Sequence, residues 1–134
     1  GREYIEYFPR NVIVGILDNW RSKLKPGGKL RLAVPDFEVM SNLYSKGEHV
    51  LDSFLGPLYG KMDMDGEYIY HKTVYDYNSL SNVLLQTGYS GIERWDWRQT
   101  EHSQYDDHSQ AYIPHMDKEN GILISLNVEC KKAK

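Results

Sequence analysis

The sequence is poor in cysteine, in unbroken apolar stretches and in excess charge of either sign, and each shortage narrows its class. A single cysteine, Cys130, excludes an internal disulfide framework and points to a reducing compartment. No apolar run reaches the length of a bilayer span, and the first residues are polar and aromatic rather than signal-like. The expectation is a cytoplasmic protein without a membrane partner. Sixteen basic residues against nineteen acidic ones leave a net charge of −3 and no basic stripe, so nucleic acid is not an expected partner either. The one local excess, Arg21, Lys23, Lys25 and Lys29, flanks a helix end, where cations complement the helix dipole. There is no internal repeat, no low-complexity tract and no linker, so residues 1–134 read as one domain.

What is present is a chain of 134 residues, 40% of them hydrophobic, enough for one modest core. Eleven tyrosines outnumber the three Trp and three Phe. Each hydroxyl wants a polar partner, which suits either a cleft or the edge of the core.

Apolar periodicity predicts a helix over 11–24, with Val12, Ile16, Leu17, Trp20 and Leu24 on one stripe. Pro9 precedes it and Lys25-Pro26-Gly27-Gly28 stops it. Leu30, Leu32 and Val34 then alternate as a short strand ending at Pro35. A helix over 37–46 carries Phe37, Met40, Leu43 and Tyr44 on one stripe, and 48–59 reads as a further helix broken near Gly56-Pro57. Residues 61–67 read as a polar loop. Asn78 is positioned to cap a helix bearing Leu80, Val83 and Leu84, ended by Gly88. Strands over 91–98 and 122–131 finish the chain, with a long polar loop over 99–120 between them; loops of that length have a function or lack order.

The run from Lys25 to Asp36 (Lys-Pro-Gly-Gly-Lys-Leu, then Ala-Val-Pro-Asp) resembles the turn into the fifth strand of class I S-adenosylmethionine-dependent methyltransferases. Ile5-Glu6-Tyr7-Phe8-Pro9-Arg10 is similar to the stretch that follows the fourth strand in that family. Asn78-Ser79-Leu80 through Gly88-Tyr89 is similar to the helix and turn leading into the sixth. The resemblance covers nearly the whole chain. It implies an α/β class: a partial Rossmann-like methyltransferase fold, with a small mixed sheet of about three strands and flanking helices.

The family holds its cofactor with a Gly-rich turn after the first strand and an acidic residue after the second. No such fingerprint follows a strand here, and Tyr7 stands where the family often has His. The resemblance therefore implies the carboxyl-terminal portion of such an enzyme. Glu6 and Tyr7 are what remains of the cofactor site, and S-adenosylmethionine binds only if the other half is supplied.

Three readings follow: a portion of a complete enzyme, an active assembly completed by another chain, or a non-catalytic homodimeric binding or scaffolding module derived from a methyltransferase. The methyl acceptor, small molecule or macromolecule, cannot be read from the residues. A strand 29–34 without its usual neighbour leaves backbone groups unpaired. Strand pairing with a second copy would cover that edge, giving a homodimer, as would residues 3–7 folding back.

Candidate chemical residues sit where open α/β sheets bind ligands, at the carboxyl ends of strands. Asp36 fits either a helix cap or a substrate contact. His71 with Tyr75 fits a general base near the acceptor, because imidazole titrates near neutrality. A third group, His102, Asp106, Asp107, His108, His115 and Asp117, has ligand chemistry but no metal-binding spacing, so no metal is expected.

Overall fold

The computed structural model describes residues 4–99 and 111–133. Among them are four helices, α1 (Arg10–Lys23), α2 (Phe37–Ser45), α3 (Asp52–Tyr59) and α4 (Tyr77–Gln86). Seven strands accompany them: β1 (Lys29–Pro35), β2 (Met62–Met64), β3 (Glu67–Ile69), β4 (Tyr89–Arg94), β5 (Tyr112–Ile113), β6 (Ile122–Leu123) and β7 (Ser125–Lys132). The main sheet has the order β1-β7-β4, and β2-β3 and β5-β6 form two small hairpins.

The α/β class with helices against a three-stranded sheet is as the sequence implies. The expected mixed pairing is not. β7 pairs antiparallel with β1, from Lys29 opposite Lys131 to Pro35 opposite Ser125, and antiparallel with β4. β1 and β4 therefore run in the same direction without touching. The crossover through α2, α3 and α4 spaces them one strand apart, and β7 fills that gap from the opposite direction.

The core lies on one face of this sheet. Leu30, Leu32 and Val34 from β1 alternate inward with Leu126, Val128 and Cys130 from β7 and meet Ile13 and Leu17 of α1 and Leu80 and Leu84 of α4. Full burial of such side chains contributes roughly 1.5–3 kcal/mol each. Tyr89 closes the cluster and satisfies its hydroxyl on the Leu17 carbonyl at 2.7 Å. The inward stripe of α1 centres on Ile13 and Leu17, while Val12, which the spacing places on it, is 44% exposed. The alternate residues of β7, Ser125, Asn127 and Glu129, are buried polar groups on the opposite face. There Glu129 Oε1 forms ion pairs with Lys29 Nζ at 3.3 Å and Arg31 Nε at 3.6 Å. A second apolar cluster joins Met40 and Leu43 of α2, Phe54 of α3, Ile113 and Ile124.

Several local expectations change. The strand expected over 91–98 runs Tyr89–Arg94 and is followed by a 3-10 turn at Trp97–Gln99, and the loop expected over 99–120 contains β5. The segment 61–67 is not a loop but the start of the β2-β3 hairpin: Asp65 and Gly66 both have positive φ, 55° and 89°, the geometry a right-twisted two-residue hairpin turn requires. Pro57 lies inside α3 and does not break it. It deletes one amide donor, but the preceding Gly56 has no Cβ to clash with the pyrrolidine ring. Helix α4 is capped by Asp76 rather than Asn78. The Asp76 carboxylate accepts the Ser79 amide at 2.8 Å while the Ser79 hydroxyl accepts the Asp76 amide at 3.0 Å, a reciprocal capping box.

Candidate functional site

A cavity of about 240 Å³ opens at the carboxyl end of β1. Its apolar wall comes from Val34 and Pro35 of β1, Pro57 of α3, Met62 of β2 and Ile124, and its polar residues are Tyr7, Lys61, His71 and Ser125. Three segments remote in sequence meet here. The 3-10 turn Ile5–Tyr7 lies against β1 and is tied to the 71–72 backbone, the Lys72 amide donating to the Glu6 carbonyl at 2.8 Å. The His71 amide in turn donates to the Tyr59 carbonyl at 2.8 Å, which fixes the residue against the end of α3.

The His71 ring is held on three sides. Nδ1 lies 3.0 Å from the Leu58 carbonyl, and a carbonyl only accepts, so Nδ1 carries a proton. Nε2 faces Glu6 Oε1 at 3.8 Å. Tyr7 packs edge-on, ring centroids 4.6 Å apart. Gly60 ends α3 in the left-handed region (φ 55°) with its Cα directly beneath the imidazole, so that any side chain there would occupy ring space. Its carbonyl accepts the Tyr7 hydroxyl.

Glu6 is almost completely buried. Burial outweighs the stabilising bond from its own backbone amide and pushes its carboxyl up to about 7. Tyr7 is raised from its ordinary value by burial, then by the Glu6 and Tyr4 charges. Tyr75 is raised as well, by burial first; the Arg10 guanidinium opposes this, and Glu6 adds to it.

The five residues singled out from the sequence fall in one region but not in one wall. Tyr7 and His71 line the cavity, and Glu6 stands behind the imidazole. Tyr75 is a core residue under the Arg10 guanidinium, 4.1 Å from the ring centroid. Its carbonyl accepts the Phe37 amide at 3.0 Å, which brings its backbone beside Asp36. Asp36 caps α2, accepting the Glu38 amide at 3.2 Å, with Arg94 from the end of β4 at 3.7 Å. Neither Tyr75 nor Asp36 lines the cavity. Of the third group, His102, Asp106, Asp107 and His108 lie outside the described residues, and Asp117 binds the Asn120 amide at 3.0 Å. Among the described residues no three His, Cys, Asp or Glu side chains converge as metal ligands. Gly60, Lys61 and Ile124 also line the cavity without having been expected there, as does Pro57, which the sequence marks only as a helix break. Of the first three only Gly60 carried a signal, as a glycine just past an apolar helix stripe.

No protein-family model, no curated protein and no solved structure matches the chain. Among the described residues no helix is long and apolar enough to cross a membrane.

Proposed function

We propose that this chain forms the carboxyl-terminal, acceptor-side part of a class I S-adenosylmethionine-dependent methyltransferase, as a Rossmann-like unit. The observation that carries the reading is the position of the cavity. β1 and β4 run the same way and are joined by a helical crossover, and ligands of open α/β sheets sit outside the carboxyl ends of such strands. The cavity opens at that end of β1, and Arg94 brings the same end of β4 to Asp36. The order Lys25-Pro26-Gly27-Gly28, β1, Pro35-Asp36 supports it independently. A cytoplasmic compartment accords with it too, Cys130 being a free, buried thiol.

The residues fit S-adenosylmethionine only in part. A cavity of about 240 Å³ is smaller than the roughly 300–1,000 Å³ that encloses a ligand of that size. Glu6 and Tyr7 therefore form one border of a cofactor site whose remainder lies elsewhere. His71 is the side chain nearest an acceptor, and Asp36 and Tyr75 position the elements around it. The test is an amide NMR titration of the folded chain with S-adenosylhomocysteine. Weak, saturable shifts centred on Tyr7, Val34 and His71 are expected; a folded sample whose spectrum does not move would overturn the reading.

A second reading, a homodimeric binding module without catalysis, is favoured by one feature. Among the described residues β1 pairs along Lys29–Pro35 only with β7, so its other edge has no strand partner, although the Ile5–Tyr7 turn lies against the strand. Pairing of that edge with a second copy predicts a dimer in sedimentation velocity, and a monomer at every concentration rules it out.

A further inference from the structure

The cavity wall sorts its hydrogen-bonding capacity in one direction. Tyr7 donates its hydroxyl proton to the Gly60 carbonyl, and burial keeps that phenol protonated. His71 donates Nδ1–H to the Leu58 carbonyl at 3.0 Å. Ser125 donates its hydroxyl proton to Asn127 Oδ1 at 2.7 Å. A hydroxyl has one hydrogen and two lone pairs. With both hydrogens committed to the protein, the oxygens of Tyr7 and Ser125 can offer a ligand only lone pairs. The remaining polar side chain, Lys61, holds its ammonium over the Tyr68 ring, 4.1 Å from the centroid. The rest of the wall is apolar: Val34, Pro35, Pro57, Met62 and Ile124.

We infer that this cavity binds a compact, mostly apolar molecule that carries an N–H or O–H donor, read by the lone pairs of the Tyr7 and Ser125 oxygens. The inference rests on the methyltransferase reading only for its consequence there: the acceptor would be a protic amine or hydroxyl compound rather than a thioether. An acceptor-only ligand finds no hydroxyl hydrogen to bind, and a fully apolar one leaves the free lone pairs of the half-buried Tyr7 oxygen and the buried Ser125 oxygen without a donor.

The test uses three probes of nearly one shape, phenol, aniline and toluene, with anisole as the acceptor-only control. Each is titrated into the folded chain and followed by the amide shifts of Tyr7, Val34 and Ser125. Phenol and aniline are expected to bind about tenfold more tightly than toluene or anisole, the worth of one or two net hydrogen bonds. Ser125→Ala should bring phenol and toluene closer together without unfolding the chain, and Tyr7→Phe should do the same from the other wall. Equal binding of toluene and phenol, a preference for anisole, or no shift with any probe would overturn the inference. The outcome with S-adenosylhomocysteine is separate. Donor preference without response to that compound keeps the cavity and removes the methyltransferase reading; the converse removes the donor rule alone.

Discussion

Gly60→Ala should destabilise the protein by about 2–5 kcal/mol, the sum of two independent costs. The first is backbone: Gly60 closes α3 at φ 55° and ψ 40°, a conformation that a β-carbon makes unfavourable. The second is steric, since the added methyl falls within the imidazole of His71. That ring has little room to yield, being buried, bonded through Nδ1 to Leu58 and packed against Tyr7. Gly66→Ala is the matched control. Gly66 also has positive φ, 89°, but open space around it, so it loses only the backbone part. Urea unfolding of both variants separates the terms. Equal losses would mean that His71 is not wedged over Gly60.

The second large effect is on pH dependence. The Glu6 carboxyl titrates near 4.5 when unfolded and at about 7 in the native chain. Between those values the native state binds the proton that the unfolded state has released. Stability is then fully present below about pH 4.5 and is lost as pH rises through 7. The full span corresponds to on the order of 3 kcal/mol. Glu6→Gln cannot ionise, so its stability should stay level across that window and exceed that of the parent chain above neutrality. Melting temperatures at several pH values between 4 and 8.5 provide the check. A parent-like slope in the Gln variant would assign the titration to another group.

The parts of the fold that were legible in the sequence depend on contacts close along the chain. Lys25-Pro26-Gly27-Gly28 stops α1, the alternation of Leu30, Leu32 and Val34 makes β1, and Asp36 caps α2, all within a dozen residues. Asp65-Gly66 was as local a signal, yet the charges around it made the segment look like a loop. Ile16, Leu17, Trp20 and Leu24 of the α1 stripe do pack on the core, and only its first position shifts: Val12 and Ile13 are adjacent and equally apolar, and the sheet decides which one turns inward. Strand order lay beyond local reading: nothing in Ser125–Lys132 announces that it lies between β1 and β4.

The candidate site was legible as a set of residues but not as an arrangement. Glu6, Tyr7 and His71 were each singled out, and the fold brings them together. Their meeting depends on the Leu58 and Gly60 carbonyls at the end of α3, which have no side-chain signature. Tyr75 and His71 are neighbours in sequence, but the Tyr75 side chain packs into the core while His71 borders the cavity. Asp36 was open to two roles from sequence, and the Glu38 amide shows the capping one.

The central position of β7 also bears on the order of assembly. Its two neighbours come earlier in the chain and touch only through it, and Lys29 must find Lys131 from nearly the far end of the sequence. Long-range strand pairing of this kind is slow, because a large loop must close before any contact rewards it. Until β7 inserts, β1 and β4 present a slot that is open on both sides to any compatible strand. The eight residues Ser125–Lys132 of a neighbouring molecule match that slot as well as the chain's own copy does. At high protein concentration, refolding should therefore yield molecules that have exchanged this strand, entangled by the same pairing that holds each one together.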